Sequence, residues 1–214
     1  MLKIWDVATR IYHWLQALLF FGLIASAYFG VTGMGGLSAK ETHTALGTVL
    51  VVLLIWRVGW GLFGSETSRF SQFLPSPREL WRYLCGQSQP RAGHNPLGGL
   101  MVIVLIASLC LQGSLGIMMS DWIDGKELLG RSLIRTLKDV HEINALLLIT
   151  LSFMHIIAAI VYRLKGNHLI RAMFTGNIQM PEHMQQPLMA SNSRAFIWLV
   201  CSGAGIVGII KLLS

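Results

Sequence analysis

Five long apolar runs dominate this chain and restrict what it can fold into. They cover about residues 12–30, 44–63, 97–119, 140–162 and 195–213. Each run is close to the roughly 20 residues that an α-helix needs to cross a hydrocarbon core about 30 Å thick. The composition agrees, because 53% of the 214 residues are hydrophobic and only 13% are charged, against about 25% in ordinary soluble domains. The sequence therefore predicts an all-α integral membrane protein with five transmembrane helices.

Lysine and arginine are unevenly divided between the two sides of the predicted membrane. One side carries Lys3, Arg10, Arg57, Arg69, Arg78, Arg82, Arg91, Arg163, Lys165, Arg171 and Arg194. The other side carries Lys40, Lys126, Arg131, Arg135, Lys138 and Lys211. Because cytoplasmic connections hold the excess of positive charge, we predict a cytoplasmic N-terminus. This bias accounts for much of the net charge of +7, and no basic stripe interleaved with aromatic residues indicates a nucleic-acid partner.

Two of the predicted connections contain short amphipathic segments. The segment PRELWRYLCG, within the stretch 64–96, is typical of an interfacial helix on the cytoplasmic face. The segment DWIDGKELLGRSLIRTLKD, within 120–139, mixes both charge signs with periodic leucines and predicts a short surface helix on the periplasmic face. We expect a membrane bundle over 1–177, a polar connection over 178–194 and an additional transmembrane helix over 195–214.

The three cysteines, at positions 85, 110 and 201, follow no motif spacing. No C-x-x-C-H sequence occurs, which excludes a covalently attached c-type haem. The same spacing gives no support for an iron–sulfur cluster.

Four histidines lie near the ends of predicted spans. His141 and His155 border the apolar segment HEINALLLITLSFMH, and fourteen residues of helix separate them by about 21 Å while returning them to within about 40° of one face. His13 lies at the start of the first span and His43 at the start of the second. With a cytoplasmic N-terminus, His13 shares the cytoplasmic depth with His155, and His43 shares the periplasmic depth with His141.

Two imidazoles at each of two depths are what two non-covalent b-type haems require, because each iron takes an axial ligand on either side of a porphyrin buried in apolar side chains. Polar side chains at membrane depth are costly and usually functional. A single histidine at a helix end, in contrast, more often packs at the interface than binds a metal. Zinc is a further alternative, but each level has only two nitrogen ligands, short of the four that zinc prefers, and Glu142 is the one carboxylate expected to point inward.

Six segments between about residue 4 and residue 177 are typical of one family of membrane proteins. They are WDVATRIYHW, THTALG, RVGWGLFGSETSRFSQFLPSP, GHNPLGGLMV, DVHEINALLLITLSFMHIIAA and NHLIRAMFTG. Through them the chain resembles the bacterial cytochrome b561 family, which includes the b-type cytochrome subunits of nickel-iron hydrogenases. The resemblance implies a four-helix haem-binding bundle in the bacterial inner membrane that exchanges electrons with quinone, and it implies axial ligands at His13, His43, His141 and His155. The fifth apolar run departs from the four-helix members of the family.

Other polar residues are candidates for cofactor contacts. His94, before the third span, is a candidate for hydrogen-bonding a quinone carbonyl or a haem propionate, and capping of that helix beside Asn95 and Pro96 is the alternative. We predict the quinone groove at His94 and Asn95, on the cytoplasmic side. The cations that we expect near propionates are Arg10, Arg57 and Arg163 on the cytoplasmic side and Lys40, Arg135 or Lys138 on the other, with a surface charge as the alternative for each. In the last span, Ala204 and Gly208 have the spacing of a close helix contact.

The function that these features predict is electron transfer by a di-haem b cytochrome between membrane quinone and a partner redox protein. The partner classes that we expect are a cytochrome c, a hydrogenase or a dehydrogenase, so the chain is predicted to be an electron-transfer subunit rather than a stand-alone enzyme. A self-contained superoxide:quinone oxidoreductase and a non-redox, histidine-lined metal carrier are the alternatives. Haem absorbance distinguishes the metal carrier from the other two.

Overall fold

The computed structural model of the protein describes residues 1–33, 36–87, 92–120, 130–179 and 184–213. Its elements, in chain order, are β1 (Leu2–Lys3), α1 (Val7–Tyr28), α2 (Ala39–Phe63), a 3-10 turn (Glu66–Ser68), α3 (Phe70–Phe73), α4 (Pro77–Leu84), α5 (Pro96–Met119), α6 (Gly130–Leu164), α7 (Leu169–Thr175), β2 (Asn177–Ile178) and α8 (Asn192–Leu213). Four helices in the described part are long and apolar enough to cross a membrane, namely α1, α2, α5 and α6. The first four predicted spans are therefore confirmed as helices of spanning length, and α8 covers the fifth predicted run.

The α6 helix begins earlier than the sequence predicted. Its span was expected to start near residue 140, after a separate surface helix, but the helix is continuous from Gly130 to Leu164. Neither glycine nor proline occurs from residue 131 to residue 164, so nothing interrupts the backbone hydrogen bonds. The separate helix was therefore wrong for residues 130–139. Arg91 and residues 121–129, which include Lys126, lie outside the described residues.

Capping signals determine where the helices begin. Asp6 caps α1 by accepting a hydrogen bond from the backbone N–H of Thr9 at 2.7 Å, and Asn95 caps α5 by accepting one from Gly98 at 2.7 Å. Capping boxes start α2 and α4. The predicted amphipathic segment forms α4, in which no residue is buried.

The long helices pack in the order α1, α2, α5, α6, and α8 lies against α2. The α6 helix packs closely against α5, but its backbone approaches α1 and α2 only sparsely. The backbone of α6 therefore stands apart from α1 and α2, and these helices meet it through their side chains.

The start of α8 is hydrogen-bonded to α2. The indole N–H of Trp56 donates to the carbonyl of Ala195, and that of Trp198 donates to the carbonyl of Trp56, each at 3.0 Å. A Cβ on Gly59 would lie 2.3 Å from the indole of Trp198, so only glycine lets the two helices approach this closely.

The buried face of α8 differs from the predicted one. Ser202 and Ile206 are buried, whereas Ala204 and Gly208 are exposed. A Cβ on Gly208 would meet no atom within 4 Å. Within this chain, the contact predicted at Ala204 and Gly208 is therefore replaced by one that uses the neighbouring helix face.

The two ends of the bundle sequence meet in a small antiparallel sheet. Leu2 pairs with Ile178 and Lys3 with Asn177, and the carbonyl of Gly176 accepts hydrogen bonds from the two residues that follow β1. The segment after α7 is thereby joined to the start of α1. The two residues of β2 lie on either side of the predicted boundary, because Asn177 is the last residue of the predicted membrane bundle and Ile178 is the first of the predicted connection.

A buried polar network joins α5 to α6 at membrane depth. Asn144 Oδ1 accepts a hydrogen bond from Ser108 Oγ at 2.7 Å. Its Nδ2 donates to the carbonyl of Ser108 at 3.0 Å and to Gln112 Oε1 at 2.7 Å. Asn144 and Ser108 are buried, and hydrogen bonds of this kind hold helices together where no water competes for them. Because Asn144 lies one turn from His141, the network fixes the position of that histidine relative to α5.

We expect Asn144→Leu to weaken the bundle, because it leaves the buried hydroxyl of Ser108 and the amide of Gln112 without their partner. The free energy of unfolding should fall by about 1–2 kcal/mol. Denaturant unfolding in detergent micelles, followed by helical ellipticity, measures this. Thr150→Val is the matched control, since the hydroxyl of Thr150 is exposed and donates to Leu146 of its own helix. Equal stability of the two variants would contradict a structural role of the network.

Candidate functional site

The side chains of His13 in α1 and His155 in α6 face each other between these two helices. Their ring centres lie 6.3 Å apart, with the ring planes at 57° to each other. The sequence predicted that these two residues share one depth in the membrane, and the structure brings their side chains together. We call them the first histidine pair.

His43 of α2 and His141 of α6 form the second histidine pair. Their ring centres lie 6.4 Å apart, with the planes at 69°. His43 Nδ1 is 3.2 Å from the carbonyl of Leu23. Because a carbonyl only accepts hydrogen bonds, Nδ1 carries the proton and donates it, which leaves the Nε2 lone pair of His43 free to bind a metal.

The separation within each pair fits one metal atom between two imidazoles. Metal–nitrogen bonds of about 2 Å on both sides would place the ring centres roughly 6 Å apart. The rings are too distant for direct stacking, and the backbone of α6 approaches those of α1 and α2 only sparsely. Both pairs therefore fit a haem whose iron takes one imidazole on each face.

Coordination by protein side chains alone does not fit this arrangement. In the described part of the chain, no three His, Cys, Asp or Glu side chains come together as a possible metal site. A tetrahedral zinc ion needs four ligands, and each histidine pair supplies two. A haem iron already has four nitrogen ligands from the porphyrin. It needs only two more, and each histidine pair can supply two.

The end of the bundle that holds the first pair also holds buried polar atoms without a partner. Among the described residues these are Arg10 Nε, Tyr12 Oη, His13 Nδ1, Gln16 Oε1, Arg69 Nε and His94 Nδ1, and the remaining one, His141 Nδ1, belongs to the second pair. Buried polar atoms in folded proteins are nearly always hydrogen-bonded. The concentration of unpaired atoms at one level indicates that a polar group of a ligand belongs there.

Arg57 differs from the other arginines predicted beside this level because it is buried, with 4% of its surface exposed. One of its N–H groups donates to the carbonyl of Ser68 at 3.2 Å, and its guanidinium lies 5.1 Å from the ring centre of Phe70. Among the described residues no carboxylate forms an ion pair with it. The buried carboxylate of Asp6 acts on Arg57 electrostatically but forms no ion pair with it. A buried cation without an ion-pair partner is costly, so Arg57 is suited to an anionic group of a ligand.

The other predicted cations lie elsewhere. Arg10 donates to the carbonyl of Phe174 and thereby joins α1 to α7. Arg163 is exposed near the end of α6. On the other side of the bundle, Arg135 is exposed and Lys138 forms an exposed ion pair with Glu142 at 3.6 Å.

His94 points into the bundle instead of lining an open groove. Its ring contacts Trp5 at 4.8 Å and Phe73 at 4.7 Å between centres. Burial, together with the electrostatic effects of Arg57, His155 and His13, lowers the pKa of His94 to about 3. His94 is therefore neutral at physiological pH and lies close to the first histidine pair.

Asn95 is also engaged within the protein. Its Oδ1 caps α5, so the cap is Asn95 and not His94, and its Nδ2 donates to the hydroxyl of Tyr162 at 2.8 Å. That hydroxyl also bonds Tyr83 of α4, and burial together with this bond raises the pKa of Tyr83 to about 12. Both residues at which the quinone groove was predicted thus make contacts within the protein, and the groove there stays a prediction.

Sequence reasoning missed Tyr12 and the buried carboxylate of Asp6. Asp6 accepts hydrogen bonds from Thr9, from Ser68 Oγ at 3.2 Å and from the indole of Trp60 at 3.4 Å. A polar residue at the start of an apolar run indicates a cap, which Asp6 is. The local sequence pattern did not show that Asp6 also contacts Ser68, in the connection that follows α2.

Comparison with known proteins agrees with the geometry. The family described as Prokaryotic cytochrome b561 matches residues 4–176. Two relatives, from Escherichia coli strain K12 and Escherichia coli O157:H7, are each named "Probable Ni/Fe-hydrogenase 1 B-type cytochrome subunit". Each is 28% identical over 116 residues, which cover 44% of this chain and 49% of the relative. The chain thus matches about half the length of these relatives, and no solved structure matches it.

A bundle of membrane-length helices with histidines facing each other in pairs defines a haem-carrying membrane cytochrome. The chain belongs to the prokaryotic cytochrome b561 family, whose description matches most of its length. Membership implies b-type haem and electron transfer in a multi-pass membrane protein.

Proposed function

We propose that the protein binds two b haems, one between His13 and His155 and one between His43 and His141. The observation that carries this proposal is the pair of ring separations, 6.3 Å and 6.4 Å, each of which fits one axially ligated iron. A haem accepts and returns one electron at a time. The chain's contribution is to hold the imidazoles, to fix the tautomer of His43 through Leu23, and to exclude water.

The two levels lie about 21 Å apart along α6 and together form a path for electrons across the membrane. We place the N-terminus and the first pair on the cytoplasmic side of the bacterial inner membrane, in agreement with the distribution of Lys and Arg. We also propose that α8 is a fifth span. Its hydrogen bonds to α2 and the burial of Ser202 and Ile206 support a course alongside α2.

In this proposal electrons pass between membrane quinone and a partner redox protein. The relatives named as B-type cytochrome subunits of a hydrogenase support a partner-dependent role, and a hydrogenase, a dehydrogenase or a cytochrome c is the class of partner that we propose. Superoxide:quinone oxidoreduction is the second candidate and uses the same two haems. A metal carrier lacks support, because each histidine pair offers only two ligands.

We further propose that Arg57 pairs with a propionate of the first haem. The guanidinium is buried, makes one hydrogen bond and acts electrostatically on Tyr12 and His94, both of which carry an unpaired buried atom. These groups present donors to one anion at the level of the first pair. Arg10 and Arg163 were predicted for the same role, but the contact of Arg10 with α7 and the exposure of Arg163 favour Arg57.

The two haems should be lost separately. We expect the pyridine haemochrome assay to find about two non-covalent haems per chain, and His13→Ala or His155→Ala to remove one spectral component and His43→Ala or His141→Ala the other. His168→Ala is the control, since His168 is exposed and belongs to neither pair. Loss of the same component in His13→Ala and His43→Ala would show that the pairing is wrong.

Arg57→Gln should lower the midpoint potential of the haem that His13→Ala removes, by tens of millivolts, because a nearby positive charge disfavours the ferric state. Potentiometric titration of both haems measures the shift. Arg163→Gln, which removes an exposed arginine of the same end, should leave both potentials in place. An unchanged potential in Arg57→Gln, with full haem content, would show that Arg57 does not act on the haem.

A further inference from the structure

A groove of about 340 Å³ runs along the outer side of α1, where α7 lies beside it. Its sides are largely apolar and include Ile11, Leu18 and Phe174, of which 55%, 69% and 60% of the surface is exposed. These residues belong to the membrane-length part of α1 and to the helix packed on it. A molecule dissolved in the membrane therefore reaches the groove sideways, without crossing the bundle.

The wall of the groove is a rigid aromatic surface. The indole of Trp14 stacks on Phe174 with ring centres 4.4 Å apart and planes at 25°, and its N–H donates to the carbonyl of Met173 at 3.3 Å. These contacts fix the orientation of the indole. A planar ring fits such a surface better than a flexible acyl chain does, because stacking needs a flat partner.

Arg10 supplies hydrogen-bond donors at one end of the groove. One N–H of its guanidinium bonds the carbonyl of Phe174, and the side chain lines the groove. A guanidinium has five N–H donors and no acceptor. The ligand that suits this end is therefore a ring with an oxygen that accepts hydrogen bonds.

The groove lies next to the first histidine pair. The ring of Trp14 contacts that of His13 edge to face at 5.1 Å between centres. A ring bound against Trp14 is thus separated from the proposed axial ligand by a single side chain.

We propose that this groove binds the head group of the membrane quinone, with its ring beside Trp14 and a carbonyl oxygen at Arg10. This proposal rests on the proposed function and names the site at which quinone reacts. Oxidation of one quinol to quinone would release two electrons and two protons. The two proposed haems would take up one electron each. The protons would pass to water at the Arg10 end, where α1 begins, since a guanidinium accepts no proton. The reverse reaction takes up the same electrons and protons.

Leu18→Trp tests the proposal by filling the groove with an indole. Haem-loaded protein is mixed with decyl-substituted benzoquinol in a stopped-flow instrument, and haem reduction is followed by absorbance. We expect the rate to fall by roughly tenfold or more, because a filled pocket cannot accept the ring. Haem content and the dithionite-reduced spectrum should not change. Phe21→Trp is the matched control, since it places an indole on an exposed position of α1 outside the groove and should retain the original rate.

Two further outcomes separate the groove from the function. If the unmodified protein exchanges no electrons with either the benzoquinol or the corresponding quinone, the proposed function itself is overturned. If it does so and Leu18→Trp reacts at the original rate, the groove is not the quinone site. If Leu18→Trp loses copurified phospholipid while its rate of reaction with quinol is unchanged, the groove holds a lipid chain. This result would equally overturn the proposal.

Discussion

The α6 helix supplies one imidazole to each histidine pair, and this places a strict constraint on the bundle. His155 has to meet His13 of α1 at one level while His141 meets His43 of α2 at the other. The backbone of α6 nevertheless approaches α1 and α2 only sparsely, so direct packing cannot set this register. Close contact with α5 and the hydrogen bonds of Asn144 set it instead. The α5 helix thus positions both pairs although it contributes no histidine.

The level of the first histidine pair combines burial with charge. Asp6 accepts hydrogen bonds from four neutral donors on Thr9, Trp60 and Ser68. Arg57 donates to one carbonyl, lies against one aromatic ring and interacts electrostatically with Asp6. At the second pair, His43 Nδ1 lies within hydrogen-bond distance of two neutral groups, the carbonyl of Leu23 and the hydroxyl of Ser26. The proposed axial ligands of the two pairs therefore lie in different electrostatic surroundings, and the surroundings of a haem set its potential when the ligands are the same. The fold thereby makes the two ends of the proposed electron path unequal.

Much of this arrangement could be predicted from residue spacing, because helix geometry converts sequence distance into depth. The offset of fourteen positions from His141 to His155, taken with the predicted topology, led to the two pairs that the structure brings together. The predictions that were wrong concern the length of α6 and the contact face of α8, which the periodicity of apolar residues does not set. The α6 helix extends beyond its apolar core because residues 131–139 lack a helix breaker, and Ala204 and Gly208 have the spacing of a contact face that α2 does not use.

The sequence by itself determined the apolar spans of the four membrane-length helices and the spacing of the histidines along them. These are local properties, since they depend on hydropathy and hydrogen bonding within a few turns of one helix. Only the tertiary structure decided that His94 points inward and that Arg57 is buried while Arg163 is exposed. It also decided that the ring centres lie 6.3 Å apart in the first histidine pair and 6.4 Å apart in the second. The physical reason is that the rotation of a helix about its axis, and the neighbour that it faces, are set by packing between segments distant in sequence.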